Sequence, residues 1–194
     1  KRLMNLINDI LDLSKIEAGK MDIRYEDVIF DELIEEVSAS ITPLVNKRGI
    51  GFQVTRNIDT RMLINTDRAK VTQVLINLLG NAVKFTDEGN VTLRISSDDD
   101  LLNFEVIDTG IGISEEDKQL IFEEFRQADG STTRKYSGTG LGLAISKKIS
   151  DLLGGSISVS SQVNMGSTFT FSIPLRFVDT KLPELQSKID VHTL

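Results

Sequence analysis

Residues 67–86 read DRAKVTQVLINLLGNAVKFT, the longest regular pattern of apolar and polar residues in the chain. Its apolar side chains recur at three- and four-residue steps, which predicts one long helix over residues 68–85. Asp67 stands where an N-cap residue is expected. Polar residues interrupt the apolar pattern at steps of four, followed by one step of three: they are Gln73, Asn77, Asn81 and Lys84. This spacing places them in one stripe along the helix.

The polar stripe has two explanations. Most stripes of this kind face solvent, but glutamate and lysine are then more common than the carboxamides found here. Alternatively, the stripe lines a binding site, because an asparagine oxygen can ligate a hard cation and a lysine ammonium can bind phosphate. Because of these residue types, a binding site stays open as an explanation.

A second motif follows a strand predicted over residues 101–108. It reads DTGIGI and begins at Asp108, which the apolar residues of the strand direct towards the buried side of a sheet. A carboxylate there could accept a hydrogen bond from an exocyclic amine, and the glycines would let a ligand approach the backbone closely. The alternative is a tight turn capped by Asp108.

A third motif, GTGLGL at residues 138–143, opens a helix predicted to end near residue 153. Backbone N–H groups at a helix N-terminus attract anions, and the helix dipole adds to this attraction. The motif lacks the third glycine of the dinucleotide fingerprint and the Gly-Lys-Ser/Thr of a Walker A loop. A structural turn is the alternative. The preceding residues 127–139 are polar and without periodicity, which is typical of a functional loop or lid.

The order of these elements resembles the catalytic, ATP-binding domain of two-component sensor histidine kinases. Residues 77–86 are similar to the family's N box, 108–113 to its first glycine box, 122–125 to its F box, 138–143 to its second glycine box and 166–169 to its closing motif. Residues 6–19 resemble the end of the second helix of the dimerisation and phosphoacceptor domain. The resemblance covers about residues 1–175.

The fold class expected is α+β, and the mixed order of helices and strands also suggests it. The resemblance implies a two-layer sandwich of the Bergerat type, with a mixed, mostly antiparallel sheet and helices on one face. Residues 1–19 would be the last part of a phosphoacceptor helix, 20–175 the ATP-binding domain and 176–194 a tail. Other predicted helices cover residues 2–16, 30–47 and 114–125; other strands cover 52–58, 62–65, 91–97, 156–161 and 168–174.

The resemblance implies ATP and Mg²⁺ as cofactors and assigns roles to the motif residues. Asn81 would coordinate Mg²⁺ and Lys84 would contact phosphate, so these two are the candidate catalytic residues. Asn77 and Gln73 would support them, and Asp108 would bind the adenine amine with Thr168 nearby. Further nucleotide contacts are expected from Phe85, Gly110, Gly112, Ile113, Phe125, Gly138, Thr139, Gly140, Leu141, Gly142 and Leu143. Residues 127–137 would form the ATP lid, in which Arg134 and Lys135 could reach the triphosphate or stay solvated.

The function implied is transfer of the γ-phosphoryl group to a histidine on an upstream helix, and onward to an aspartate of a response regulator. The expected partners are the chain's own phosphoacceptor domain and a receiver domain, within a homodimeric parent. The one histidine, His192, lies in the tail and lacks the family's acceptor motif, so it is not expected to be the acceptor.

The composition limits which classes of partner and site are expected. With 29 acidic and 22 basic residues the net charge is −7, which argues against nucleic acid as the main partner. Without cysteine, disulfides and thiolate metal sites are excluded. The apolar runs are too short for a membrane span. We expect a cytoplasmic location without membrane contact by this segment, even if the parent is membrane-anchored.

Three other functions compete with kinase activity. Gyrase-type ATPase clamps resemble each other in a glutamate four residues before the metal-binding asparagine. Here that position is Asn77, whose neutral carboxamide cannot accept a proton from water. An anti-sigma-factor type of serine kinase would not need the helix before Gly19. A non-catalytic module that binds nucleotide and acts as a regulator stays open.

Overall fold

Helices and strands follow each other in mixed order in the computed structural model, which describes residues 2–58, 63–98, 100–126 and 139–176. The helices are α1 (Arg2–Glu17), α2 (Phe30–Arg48), α3 (Arg68–Phe85), α4 (Glu115–Leu120) and α5 (Gly142–Leu152). The strands are β1 (Glu26–Ile29), β2 (Gly51–Asn57), β3 (Leu63–Thr66), β4 (Asn90–Asp98), β5 (Leu101–Asp108), β6 (Ser156–Gln162) and β7 (Gly166–Pro174). The lid and the tail after residue 176 lie outside the described residues.

Five strands form the main sheet in the order β2-β4-β5-β7-β6. Only the β2–β4 pair is parallel, and the other three pairs are antiparallel. Strands β1 and β3 form a separate antiparallel pair. The prediction of an α+β fold with a mixed, mostly antiparallel sheet is therefore confirmed.

Helices α2, α3 and α5 cover one face of the main sheet, with α3 in contact with both others. On this face the ring of Phe104 stacks between Phe30 and Phe171, at centroid distances of 6.3 and 5.7 Å. The opposite face is polar and carries the Arg94–Glu105 ion pair. One buried and one solvated face explain the alternation of burial along β5.

Capping residues mark the start of α3 and the end of α2. Asp67 caps α3, because its Oδ1 accepts a hydrogen bond of 3.0 Å from the backbone N–H of Lys70. Gly49 ends α2 with a φ of 70°, a left-handed conformation that favours glycine. The helix predicted over residues 114–125 is shorter than expected, since α4 ends at Leu120 and Phe125 has a φ of 59°.

Helix α1 packs against the domain on one side and is exposed on the other. Leu13 is buried, and Leu6 and Ile16 contact the core. The exposed apolar side chains of α1 are Leu3, Met4, Ile7, Ile10 and Leu11. This helix therefore docks on the domain while leaving an apolar face uncovered. Among the residues described, no helix has both the length and the apolar character needed to cross a membrane.

Candidate functional site

The motifs predicted to act together converge on α3. The turn after β5 reaches the end of this helix, where the N–H of Ile111 donates to the carbonyl oxygen of Phe85 at 3.3 Å. A Cβ placed on Gly110 would lie 2.3 Å from the same oxygen, so only glycine allows this approach. At the second glycine motif, a Cβ on Gly142 would lie 2.4 Å from Oδ1 of Asn77. Helix α3 is thus the common wall of both glycine motifs.

Asp108 is buried at the end of β5, with 6% of its surface exposed. Its Oδ1 accepts hydrogen bonds from the backbone N–H groups of Gly110 at 2.8 Å and Ser167 at 3.3 Å. Burial raises the pKa of this carboxyl, and the two backbone hydrogen bonds oppose the rise. Because both bonds end on Oδ1, Oδ2 is the acceptor left for a further donor among the residues described.

The residue beside Asp108 on the neighbouring strand is Ser167. In the register of β5 and β7, Asp108 pairs with Ser167, whereas Thr168 pairs with Ile107. Because side chains alternate along a strand, Thr168 lies on the opposite, polar face of the sheet. This placement corrects the expectation that Thr168 would lie near Asp108. The two-residue period of β7, counted from its buried phenylalanines, is the sequence signal that could have identified Ser167.

The polar stripe of α3 is half-buried and divides into engaged and available side chains. Gln73 donates to Oδ2 of Asp12 on α1 at 2.8 Å, and Asn77 donates to Oγ of Ser146 on α5 at 2.9 Å. By contrast, Asn81 has no hydrogen-bond partner within the described ranges. The stripe therefore does not simply face solvent, because its first half connects α3 to two other helices.

Lys84 and Phe85 lie together at the end of α3. The Lys84 ammonium is 4.6 Å from the centre of the Phe85 ring, a distance typical of a cation–π contact. Arg48 of α2 donates to the carbonyl oxygen of Lys84 at 2.9 Å. These contacts place one positive charge and one aromatic ring one turn beyond Asn81.

The second glycine motif is described from Thr139 onwards, so Gly138 lies outside the described residues. Thr139 Oγ1 donates to Oδ2 of Asp9 on α1 at 3.1 Å and accepts from the Leu141 N–H at 3.3 Å. Gly140 has a φ of 72°, and a Cβ on it would lie 2.9 Å from the Arg126 carbonyl oxygen. Leu141 is buried, Leu143 is half-buried, and α5 begins at Gly142. Helix α1 therefore touches this motif directly.

The remaining predicted residues lie at the margin of this arrangement. Phe125 is 63% exposed, whereas Phe122 packs edge-on against Phe169 with ring centres 6.4 Å apart. The N–H of Ile113 donates to Ser161 Oγ at 2.8 Å, which ties the first glycine motif to β6. Gly112 has a φ of 68°. The structure thus brings Asp108, the glycine turns and the α3 stripe together, but it leaves Phe125 in solvent.

Comparisons with known proteins agree with this arrangement. The profile of the family described as histidine kinase-, DNA gyrase B-, and HSP90-like ATPase matches residues 66–177. The autoinducer 2 sensor kinase/phosphatase LuxQ of Vibrio cholerae is 39% identical over 183 residues, which are 92% of this chain and 21% of LuxQ. The sensor histidine kinase RcsC of Escherichia coli is 39% identical over 173 residues, or 89% of this chain and 18% of RcsC. The chain thus spans about a fifth of these curated relatives.

Solved structures share the fold. The crystal structure of full-length ShkA in complex with AMPPNP superposes with a TM-score of 0.81 at 32% identity, covering 91% of this chain and 36% of ShkA. The catalytic domain of histidine kinase ThkA superposes with a TM-score of 0.68 at 31% identity, covering 79% of this chain and 99% of that domain. The chain therefore belongs to the histidine kinase-, DNA gyrase B- and HSP90-like ATPase family, and it is homologous to the catalytic domains of sensor histidine kinases.

Proposed function

We propose that this domain binds Mg-ATP between α3, the end of β5 and the start of α5, and transfers the γ-phosphoryl group to a histidine of a phosphoacceptor domain. The observation that carries the proposal is a pair of polar groups without a hydrogen-bond partner among the described residues, one at the end of β5 and one on α3 between the residues that meet the two glycine motifs. Oδ2 of the buried Asp108 could accept from the adenine amine, and the Asn81 carboxamide could ligate the metal ion. Binding of AMPPNP, an ATP analogue, by the similar protein ShkA supports this assignment.

The residues present fit a magnesium ion that arrives with its nucleotide. Mg²⁺ prefers oxygen ligands and usually keeps several waters and substrate phosphate oxygens, so few protein ligands are needed. The Asn81 oxygen would be such a ligand. When bound, the ion would neutralise charge on the phosphate oxygens during transfer. Lys84, one turn further along α3, would add a positive charge near the phosphates.

Phosphoryl transfer to histidine would proceed by attack of a ring nitrogen on the γ-phosphorus, while the bond to the ADP oxygen breaks. Such a reaction depends mainly on positioning and on electrostatic stabilisation of the equatorial oxygens. We assign this stabilisation to Lys84 and to the backbone N–H groups at the start of α5. His192 is the one histidine of the printed sequence, so we place the acceptor outside it.

The engagement of Asn77 favours transfer to an acceptor over hydrolysis. A gyrase-type clamp would need a carboxylate base at this position, and here a neutral carboxamide donates to Ser146. The names of relatives that are sensor kinases or hybrid kinases support a receiver domain as the next partner. The uncovered apolar face of α1 would complete a helical bundle in a homodimeric, cytoplasmic part of the parent. A regulator that only binds nucleotide is the remaining candidate.

Trans-phosphorylation tests the proposal. The domain is incubated with γ-labelled ATP, Mg²⁺ and a separately produced phosphoacceptor domain of the parent protein. Label on the acceptor histidine supports a kinase, tight ATP binding without label supports the regulator, and rapid phosphate release without acceptor supports a clamp.

Asn81→Ala tests the metal assignment in calorimetry. We expect weaker Mg-ATP binding with little change in unfolding, because the Asn81 side chain makes no described hydrogen bond. Asn46→Ala is the matched control, since Asn46 is an exposed asparagine on α2. If both variants bind Mg-ATP like the unmodified chain, the role assigned to Asn81 is wrong.

A further inference from the structure

Ser146 joins the second glycine motif to the α3 stripe. It lies one turn into α5, is only 2% exposed, and its Oγ accepts a hydrogen bond of 2.9 Å from Nδ2 of Asn77. No motif of the sequence includes this serine. Its hydrogen bond joins residues 69 positions apart and crosses the contact between α3 and α5.

The Asn77 carboxamide contacts α5 at both of its ends. The amide nitrogen donates to Ser146, while Oδ1 lies so close to Gly142 that a Cβ there would be 2.4 Å away. Gly142 is the first residue of α5, and Ser146 is one turn later on the same face. The carboxamide therefore spans the first turn of α5 and holds it against α3.

A neighbouring serine shows that this contact is more than a feature of any buried serine on α5. Ser150 lies one further turn along the helix and is fully buried, and its Oγ has no hydrogen-bond partner among the described residues. The helix thus tolerates a buried serine without a partner at one position. Beside the glycine motif, by contrast, Ser146 accepts a hydrogen bond from Asn77 of the α3 stripe.

We propose that Ser146 is a positioning residue of the Mg-ATP site. Acting through Asn77, it sets the position of the first turn of α5 relative to Asn81 and Lys84 on α3. A triphosphate bound between the two helices would contact the metal ligand and the lysine of α3 on one side and the backbone N–H donors of α5 on the other. The distance between the two helices must therefore suit the triphosphate. The hydrogen bond fixes that distance, while Asp108, at the end of β5, holds the base independently. The inference rests on the proposed function.

Ser146→Ala, with Ser150→Ala as its matched control, tests the inference in the whole chain. Mutation of the residues that support the ligands of a metal site typically weakens metal binding 10- to 100-fold, and Ser146 acts one step further out, through Asn77. For Ser146→Ala we therefore expect Mg-ATP affinity in calorimetry to fall on the order of tenfold. Adenosine affinity, which needs only the base site, should change less than about twofold. Ser150→Ala should change neither affinity.

A double-mutant cycle separates positioning from general damage. If Ser146 acts only through Asn77, adding Ser146→Ala to Asn77→Ala should cause no further loss of Mg-ATP affinity. Equal losses of adenosine and Mg-ATP affinity, full additivity of the two variants, or equal behaviour of the two serine variants would each overturn the positioning role. If the unmodified chain bound adenosine but not Mg-ATP, or neither, the proposed function itself would fail, and this inference with it.

Discussion

Replacing Asp108 separates its structural role from its proposed role in adenine binding. Asp108→Ala removes the acceptor of two backbone N–H groups, that of the half-buried Gly110 and that of the buried Ser167. An unsatisfied buried donor costs about 1–3 kcal/mol and a partly solvated one costs less, so the free energy of unfolding should fall by roughly 1–4 kcal/mol. Asp108→Asn keeps an oxygen in the Oδ1 position, and both N–H groups stay satisfied. The two variants should therefore differ strongly in stability.

Both variants should lose ATP affinity, and for Asp108→Asn the loss occurs without unfolding. The asparagine presents an amide N–H₂ group where Oδ2 stood. This donor would face the adenine amine, which is also a donor, so no hydrogen bond can form between them. A hydrogen bond to a charged group contributes about 1.5–3 kcal/mol. At 1.4 kcal/mol per factor of ten, ATP binding should weaken roughly 10- to 150-fold. The affinity for GTP, which carries an oxygen at the corresponding position, should fall less or rise.

The pH dependence of unfolding gives a second measurement for the same variant. Burial raises the pKa of Asp108, so the folded chain binds this proton more tightly than the unfolded chain does. The contribution of Asp108 to the free energy of unfolding therefore decreases as the pH rises from about 3.9, the ordinary aspartate value, through the raised folded pKa. Asp108→Asn removes this decrease, and at pH 7 it should unfold no more easily than the unmodified chain.

Urea unfolding and calorimetry at pH 4 to 7 measure the free energy of unfolding and the ATP affinity of each variant. Asp22→Asn is the control on an exposed aspartate. Unchanged ATP affinity in Asp108→Asn would refute adenine recognition by Asp108. A loss of stability equal to that of Asp108→Ala would refute the hydrogen-bond argument.

Four further predictions concern packing, helix propensity and pH. Gly110→Ala should destabilise by about 1–3 kcal/mol in urea unfolding, because its Cβ would lie 2.3 Å from the Phe85 carbonyl oxygen. Gly80→Ala, inside α3 with nothing within 4 Å, should instead stabilise by about 0.5–1 kcal/mol. Phe104→Ala removes the centre of the aromatic stack and should cost about 3–5 kcal/mol in the same assay. Burial raises the pKa of Asp9, so the packing of α1 should weaken as the pH rises above the ordinary aspartate range. Hydrogen exchange of the α1 amides measures this weakening. Asp9→Asn should abolish the pH dependence.

The elements of the fold were predictable where local signals are strong. Asp67 caps the start of α3 and the left-handed Gly49 ends α2, both through contacts within a few residues. Such local signals can be recognised in the sequence. The helix predicted over residues 114–125 was too long, since α4 ends at Leu120. In the structure Phe122 packs on Phe169 of the sheet, a contact between distant residues that the local sequence does not reveal.

The partners of the polar stripe could not be predicted, because periodicity identifies a helix face but not what packs against it. Gln73 meets Asp12 across 61 positions, and Asn77 meets Ser146 across 69. The same limit explains why Thr168 was expected to lie near Asp108. The closing motif offers two adjacent hydroxyl residues, and only the pairing of β7 with β5 shows which of them lies beside Asp108.

The glycines of the motifs illustrate how fold and site become coupled. A Cβ on Gly110, Gly112 or Gly142 would lie within 2.4 Å of a backbone or side-chain oxygen of the chain itself. These glycines would therefore be needed for folding even if no ligand ever bound, and their presence alone does not distinguish a site from a tight turn. The distinguishing features are two polar groups, Oδ2 of Asp108 and the carboxamide of Asn81. Among the described residues neither has a hydrogen-bond partner, and neither is sealed from solvent. Both can therefore exchange water for a ligand, and this is the physical basis for assigning them to one.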